Sequence, residues 1–151
     1  MQKVITTEKF NEYMRAVDPL TQVSGCASRA ADAAPYSNNL EEAYETFRLD
    51  YVDNAFKEDL ENGKDAYVLR FTSDYCPGNN QYPEVTPSQP WNQPPCTSNG
   101  YTGSSKHLVP EYTYGRAQDI TDGAIFKIDK DGNEVLVARW DHGKFVPVPD
   151  K

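Results

Sequence analysis

The chain is expected to fold as an α+β domain, with helices first and a mainly antiparallel β-sheet after them. Three observations lead to this. Apolar residues recur at helical spacing in three stretches before residue 63. The period switches to strict alternation at "DAYVLRFTS". Two apolar runs then meet at Asp131-Gly132, a strong hairpin signal. Helices followed by a run of strands pack as α+β rather than as alternating βα units. A length of 151 residues suits a single domain, residues 1–151. It divides into a mainly helical part at 1–63 and a strand part at 64–151, the latter holding a long Pro-rich loop at 74–107.

The first helix is "TTEKFNEYMRAVDP". Thr6 or Thr7 caps it, Phe10, Met14 and Val17 share a face, and Pro19 ends it. "VSGCASRAADAAPYSNN" is small and polar and reads as loop. "NNLEEAYETFRLDY" is the second helix, with Asn39 as cap, acids in the first turn and Leu40, Tyr44 and Phe47 facing inward. "DNAFKEDLENG" is the third, between Asp53 as cap and Gly63 as terminator. In the strand "DAYVLRFTS", Tyr67, Leu69 and Phe71 point one way and Val68, Arg70 and Thr72 the other. Loop 74–107 carries Tyr75, Tyr82, Trp91 and Tyr101, which makes it too aromatic for a spacer and suggests an ordered rim over a cleft. "HLVPEYTYG" contains Pro110, so it is an edge strand or the start of one. "GAIFKIDKDGNEVLVARWD" is the hairpin, and "GKFVPVP" closes the sheet.

Hydrophobic residues make up only 38% of the chain, so its 10 Tyr, 6 Phe and 2 Trp must supply much of the core. The formal charge of -8 argues against nonspecific nucleic-acid binding, which needs a basic face to displace counterions. No stretch is apolar enough to span a membrane. "VSGC" has the form of a lipoprotein cleavage box, but polar residues precede it, so no signal peptide is expected in this chain. Three cysteines are an odd number. Three reduced thiols are the favoured reading; the other is that Cys76 and Cys96, which flank one Pro-rich loop, pair and leave Cys26 free.

Arg70 is notable because it sits in an apolar strand, where a charge needs a partner. It is either a half-exposed strand residue or a guanidinium on a cleft wall, gripping phosphate through its fork. Arg48 has Asp50 and Asp53 nearby and reads as structural. In "PPCTSNGYTGSSKHLVPEY", Gly103 permits close backbone approach while Thr102, Ser104 and Ser105 offer hydroxyls. No strand–turn–helix elbow surrounds these serines, so a Ser–His107 nucleophile is disfavoured against a polar platform that orients a ligand beside Glu111. Asp129, Asp131 and Glu134 lie in too short a loop for calcium. Cys76, Cys96, His107 and His142 lack zinc spacing, so no metal is expected.

The order of an Arg strand, an aromatic-hydroxyl element and a Glu strand resembles ADP-ribosyltransferases of the Arg–Ser–Glu type. "YVLRFTSD" is similar to their Arg strand, "GYTGSS" to their aromatic-Ser-Thr-Ser element and "NEVLVARWDHGKF" to their Glu strand. The resemblance implies an ADP-ribosyltransferase-like sheet and NAD as the consumed substrate. It implies that Arg70 holds NAD phosphate, that Thr102 and Ser104 support the nicotinamide-ribose pocket beside Tyr101 and Gly103, and that Glu134 stabilises the oxocarbenium-like centre. Glu111 is the rival carboxylate, and the polar groups gathered in its loop and its place at a strand start favour it over Glu134 beside a hairpin turn. The Ser-to-Glu spacing is short, and Gly132 stands where many members carry an acceptor-activating Glu or Gln, so NAD hydrolysis stays open beside ADP-ribosyl transfer. "VSGCASRAADA", "FRLDY" and "PPCTSNGYTGS" also look like C-terminal toxin modules of bacterial polymorphic toxins. That implies an effector delivered to a target-cell cytoplasm in interbacterial competition, with a cognate immunity protein as partner. Two alternatives stand beside it: a non-enzymatic binding protein, such as an immunity protein or phage inhibitor, and a ribonuclease toxin using His107 and His142.

Overall fold

The computed structural model describes residues 1–37, 40–47, 61–63, 65–75, 78–79, 101–102, 106–107, 109–128 and 133–149. It is a mixed structure dominated by antiparallel sheet, as the coarse α+β expectation requires. The helices do not all precede the strands, however. The chain opens on β1 (Gln2–Ile5), which pairs antiparallel with β3 (Ala66–Ser73) and sets Gln2 opposite Arg70. β2 (Gln22–Ala27) occupies sequence that reads as loop. Both are strands because long-range partners complete their hydrogen bonds, which local composition does not encode.

Helix α1 (Thr7–Tyr13) begins as expected, with the Thr6 side chain accepting from the Lys9 amide at 3.1 Å. It stops at Tyr13, short of Pro19, and Asp18 turns the chain at φ 53°. Phe10 stacks on Tyr67 with ring centroids 4.1 Å apart, and buried Tyr13 donates its hydroxyl to the Gln22 carbonyl at 2.8 Å. These contacts fasten α1 across the start of the sheet. Next come α2 (Ala30–Ala33), a 3-10 turn at Ala34–Tyr36 and α3 (Leu40–Thr46). The expected caps Asn39 and Asp53 and most of the third helix lie outside the described residues. Gly63 adopts φ 70°, the left-handed conformation expected just past a helix end.

Strand β5 (Tyr112–Ile128) organises the rest. Its 17 residues run without a break through sequence expected to hold only two short strand pieces. The first half pairs with β2 and with β4 (Gly78–Asn79), the second half with β3 and with β6 (Glu134–Asp141). The predicted hairpin is therefore β5–β6, and β7 (Lys144–Pro147) adds to β6 as the closing strand. A bridge between Gln2 and Ser28 links β1 to β2. The pairings β1–β3–β5–β2–β1 thus form a closed circuit, which leaves β1 and β2 no long free edge at that point.

The core includes Ile5, Tyr13, Val23, Tyr67, Leu69, Phe71, Tyr114, Ile125 and Phe145. Tyr67, Leu69 and Phe71 are the inward set that the alternation of β3 predicts. Burying each large apolar side chain contributes about 1.5–3 kcal/mol. Gly25, beside a bulge in β2, sits at φ 80°, a left-handed conformation that residues with a side chain rarely adopt.

Candidate functional site

The other face of β3 carries Val68, Arg70 and Thr72, and here the sheet builds its clearest polar centre. Arg70 donates through Nη1 and Nη2 to the two carboxylate oxygens of Glu134 at 2.9 and 2.6 Å. Its Nε donates to the Gln2 side-chain oxygen at 2.8 Å, and its guanidinium lies 4.8 Å from the centroid of the Phe126 ring. The Gln2 amide nitrogen donates to Ser37 Oγ, and that hydroxyl donates to the Ala33 carbonyl at 2.7 Å. Residues 64 apart in sequence are thereby joined in a fork-to-fork pair, with side chains 24% and 19% exposed. Partial burial strengthens the pairing relative to a surface ion pair, and the hydrogen bonds to Gln2 and the ring contact fix the guanidinium plane.

Arg70 also lines an open groove of about 700 Å³. Ala124, Phe126 and Leu136 form its apolar floor, and Thr72, Asp122 and Arg139 stand around them. That volume lies within the range of small-molecule sites. Of the candidate residues, the structure brings Arg70 and Glu134 together, and Arg70 is the one that lines this groove. The Arg70 fork is directed at Glu134 and its Nε at Gln2.

Glu111 stands in a different setting. It is 4% exposed, just ahead of β5. Its charge acts on Lys3, which leaves β1 on the opposite face from Gln2. Lys3 Nζ donates to the Ser24 carbonyl at 2.5 Å. Burial lowers the Lys3 amine to about 8; the Lys9 charge pushes in the same direction and Glu111 opposes it.

Tyr101 bridges to Pro110, and the Thr102 amide donates to the Val109 carbonyl at 2.9 Å. Thr102 is buried, and its hydroxyl has no hydrogen-bond partner among the described residues. Gly103, Ser104, Ser105, Arg48, Trp91, Tyr82, Asp129 and Asp131 lie outside the described residues. His107 contacts Glu42 of α3 and stacks on Tyr36 at 4.1 Å, a cluster of three segments that sequence spacing does not announce. His142 is in an exposed turn beside Asp141, at φ 48°. Among the described residues, no group of three or more His, Cys, Asp or Glu is placed to hold a metal.

Both cysteine readings, three reduced thiols and a Cys76–Cys96 pair, are corrected. Cys26 is disulfide-bonded and therefore not the free thiol. With three cysteines in the chain, its partner is Cys76 or Cys96, both outside the described residues. Spacing along the Pro-rich loop misled because β2, which carries Cys26, is a strand of the sheet and not loop.

Arg139 is the groove residue that the sequence reading missed. Its only sequence signal is a charge within "EVLVARW", where alternation from Glu134 assigns it to the other face. No described helix is long and apolar enough to cross a membrane. Comparison with protein-family models, with curated proteins and with solved structures finds no match.

Proposed function

We propose that this chain is an NAD-consuming toxin domain, cleaving the bond between nicotinamide and ribose and passing ADP-ribose to water or to an acceptor. The observation that carries the reading is the Arg70–Glu134 pair at the margin of a groove of small-molecule size. In such a cleavage the electron pair of the breaking bond leaves with nicotinamide, and positive charge develops on the ribose carbon. A fixed carboxylate beside that carbon lowers the barrier electrostatically. Glu134 is assigned this role. Arg70 orients the carboxylate through its two hydrogen bonds, as a positioning residue. Half-buried Phe126 and Leu136 give apolar surface for the flat parts of the substrate.

Glu134 is preferred to Glu111 because Glu111 is enclosed and lies in the field of Lys3. Delivery into a competing cell and pairing with an immunity protein belong to this same proposal and rest on the resemblance to toxin modules. Incubation with NAD and measurement of nicotinamide release tests the activity. Growth arrest on expression in bacteria, relieved by a co-expressed neighbouring gene, tests the toxin role. A second reading has one observation in its favour. The His107–Glu42 contact is the pairing that general base catalysis by a ribonuclease toxin needs, and RNA cleavage lost on His107→Ala, without NAD cleavage, decides for it.

A further inference from the structure

We propose that Arg139 is the anion-binding residue of the groove and that it holds the phosphates of a nucleoside diphosphate group. The inference rests on the NAD-consuming reading for the reaction, but not for the binding.

A register shift in the β5–β6 pair is the starting point. Phe126 stands opposite Leu136 and Ile125 opposite Ala138, so β6 carries one extra residue, Val137, at a bulge. Directly opposed residues share a sheet face. Ala124 and Phe126 are two apart on β5 and lie on one face. Their partners Arg139 and Leu136 therefore lie on that face too. Without the bulge, Arg139 would leave β6 on the face opposite Glu134 and Leu136. The inserted residue thus turns a cation into the groove, where Arg139 is found. Re-aiming a side chain beside a binding site is a common use of bulges.

The second observation is that the two groove arginines are unequal. Arg70 is engaged through all three of its guanidinium nitrogens. Arg139 is exposed and has no hydrogen-bond or ion-pair partner among the described residues. A guanidinium with its fork open, above an apolar floor, matches a ligand that joins a phosphate to a flat, weakly polar ring. Asp122, on the same groove, disfavours a bare anion and accepts from hydroxyls, as a ribose offers. A nucleoside diphosphate supplies the phosphates, the ribose and the ring together. The net charge of -8 gives no general attraction for anions, so binding has to come from a local cation.

The test is titration of the whole chain with ADP at low ionic strength, followed by calorimetry, for wild type, Arg139→Gln, Arg139→Lys and Arg116→Gln. Arg116 is an exposed arginine of β5 that does not line the groove. The expected result is that Arg139→Gln weakens ADP at least tenfold, Arg139→Lys recovers part of the loss and Arg116→Gln changes nothing. Thermal melts confirm that each variant is folded. ADP binding that is absent in wild type, equal in wild type and Arg139→Gln, or equally weakened by Arg116→Gln overturns the proposal. NAD cleavage by the same proteins separates the two readings. Arg139-dependent ADP binding without NAD cleavage removes the enzyme reading and keeps the site. NAD cleavage with KM unchanged in Arg139→Gln keeps the enzyme and removes the site.

Discussion

The Arg70 charge, in an apolar strand, demands compensation, and Glu134 provides it from a strand 64 residues away, with Gln2 completing the set. Removing the guanidinium in Arg70→Ala leaves a partly buried carboxylate without its partner. Chemical denaturation is expected to show a loss of about 2 kcal/mol, and unchanged stability contradicts the pairing. Arg70→Lys keeps the charge but loses the fork, so kcat for NAD should fall roughly tenfold or more while KM stays nearly constant. Lys3 makes a pH prediction. Its folded amine titrates near 8 and its unfolded amine near 10.5, so the unfolded chain binds the extra proton between those values. Stability therefore rises with pH from about 8 towards 10. Above 10 the slope reverses, because burial raises the Tyr13 and Tyr67 phenols and the folded state then holds the extra proton. Urea melts across this range should show the rise in wild type and not in Lys3→Met.

At the scale of elements, legibility followed local periodicity. Strand β3, the β5–β6 hairpin and the start of α1 were readable because alternation, a turn dipeptide and a threonine cap are local signals. The strands β1 and β2 were not, since four residues of "QKVI" and a Gly-containing "QVSGCA" become strands only through remote partners. The full length of β5 was hidden by its polar middle, where it changes partners from β2 to β3. The bulge at Val137 left no pattern in the apolar run that contains it, so Arg139 could not be assigned to the site from sequence. The cysteine pairing failed for the same reason as β2. A bridge from Cys26 to Cys76 or Cys96 ties an N-terminal strand to the Pro-rich loop region and closes a long loop, and it should stabilise the fold by about 2–4 kcal/mol. Reductant should lower the unfolding midpoint accordingly, and non-reducing peptide maps should contain a Cys26 crosslink. Alkylation of Cys26 in unreduced, denatured protein contradicts it.

For the whole molecule, the Tyr67, Leu69 and Phe71 side of the sheet packs into the main core, and the other side, where Val68 and Ile128 are also buried, carries the Arg70–Glu134 centre. The sequence resemblance had named both residues of that centre, yet it did not disclose that they grip one another or that a second arginine shares the groove. It left both Glu134 and Glu111 as candidates; Glu134 is bonded to Arg70, which lines the groove, whereas Glu111 is enclosed near Lys3. The two carboxylates give the most direct test of the account. Nicotinamide release from NAD should be measured for wild type, Glu134→Gln and Glu111→Gln, with folding checked by thermal melts. Losing one preorganised charge at the reacting centre raises the barrier by about 3 kcal/mol or more, roughly a hundredfold or more in rate. That loss is expected for Glu134→Gln, against a change of no more than a fewfold for Glu111→Gln. Full activity in a folded Glu134→Gln variant, or no release by wild type, contradicts it.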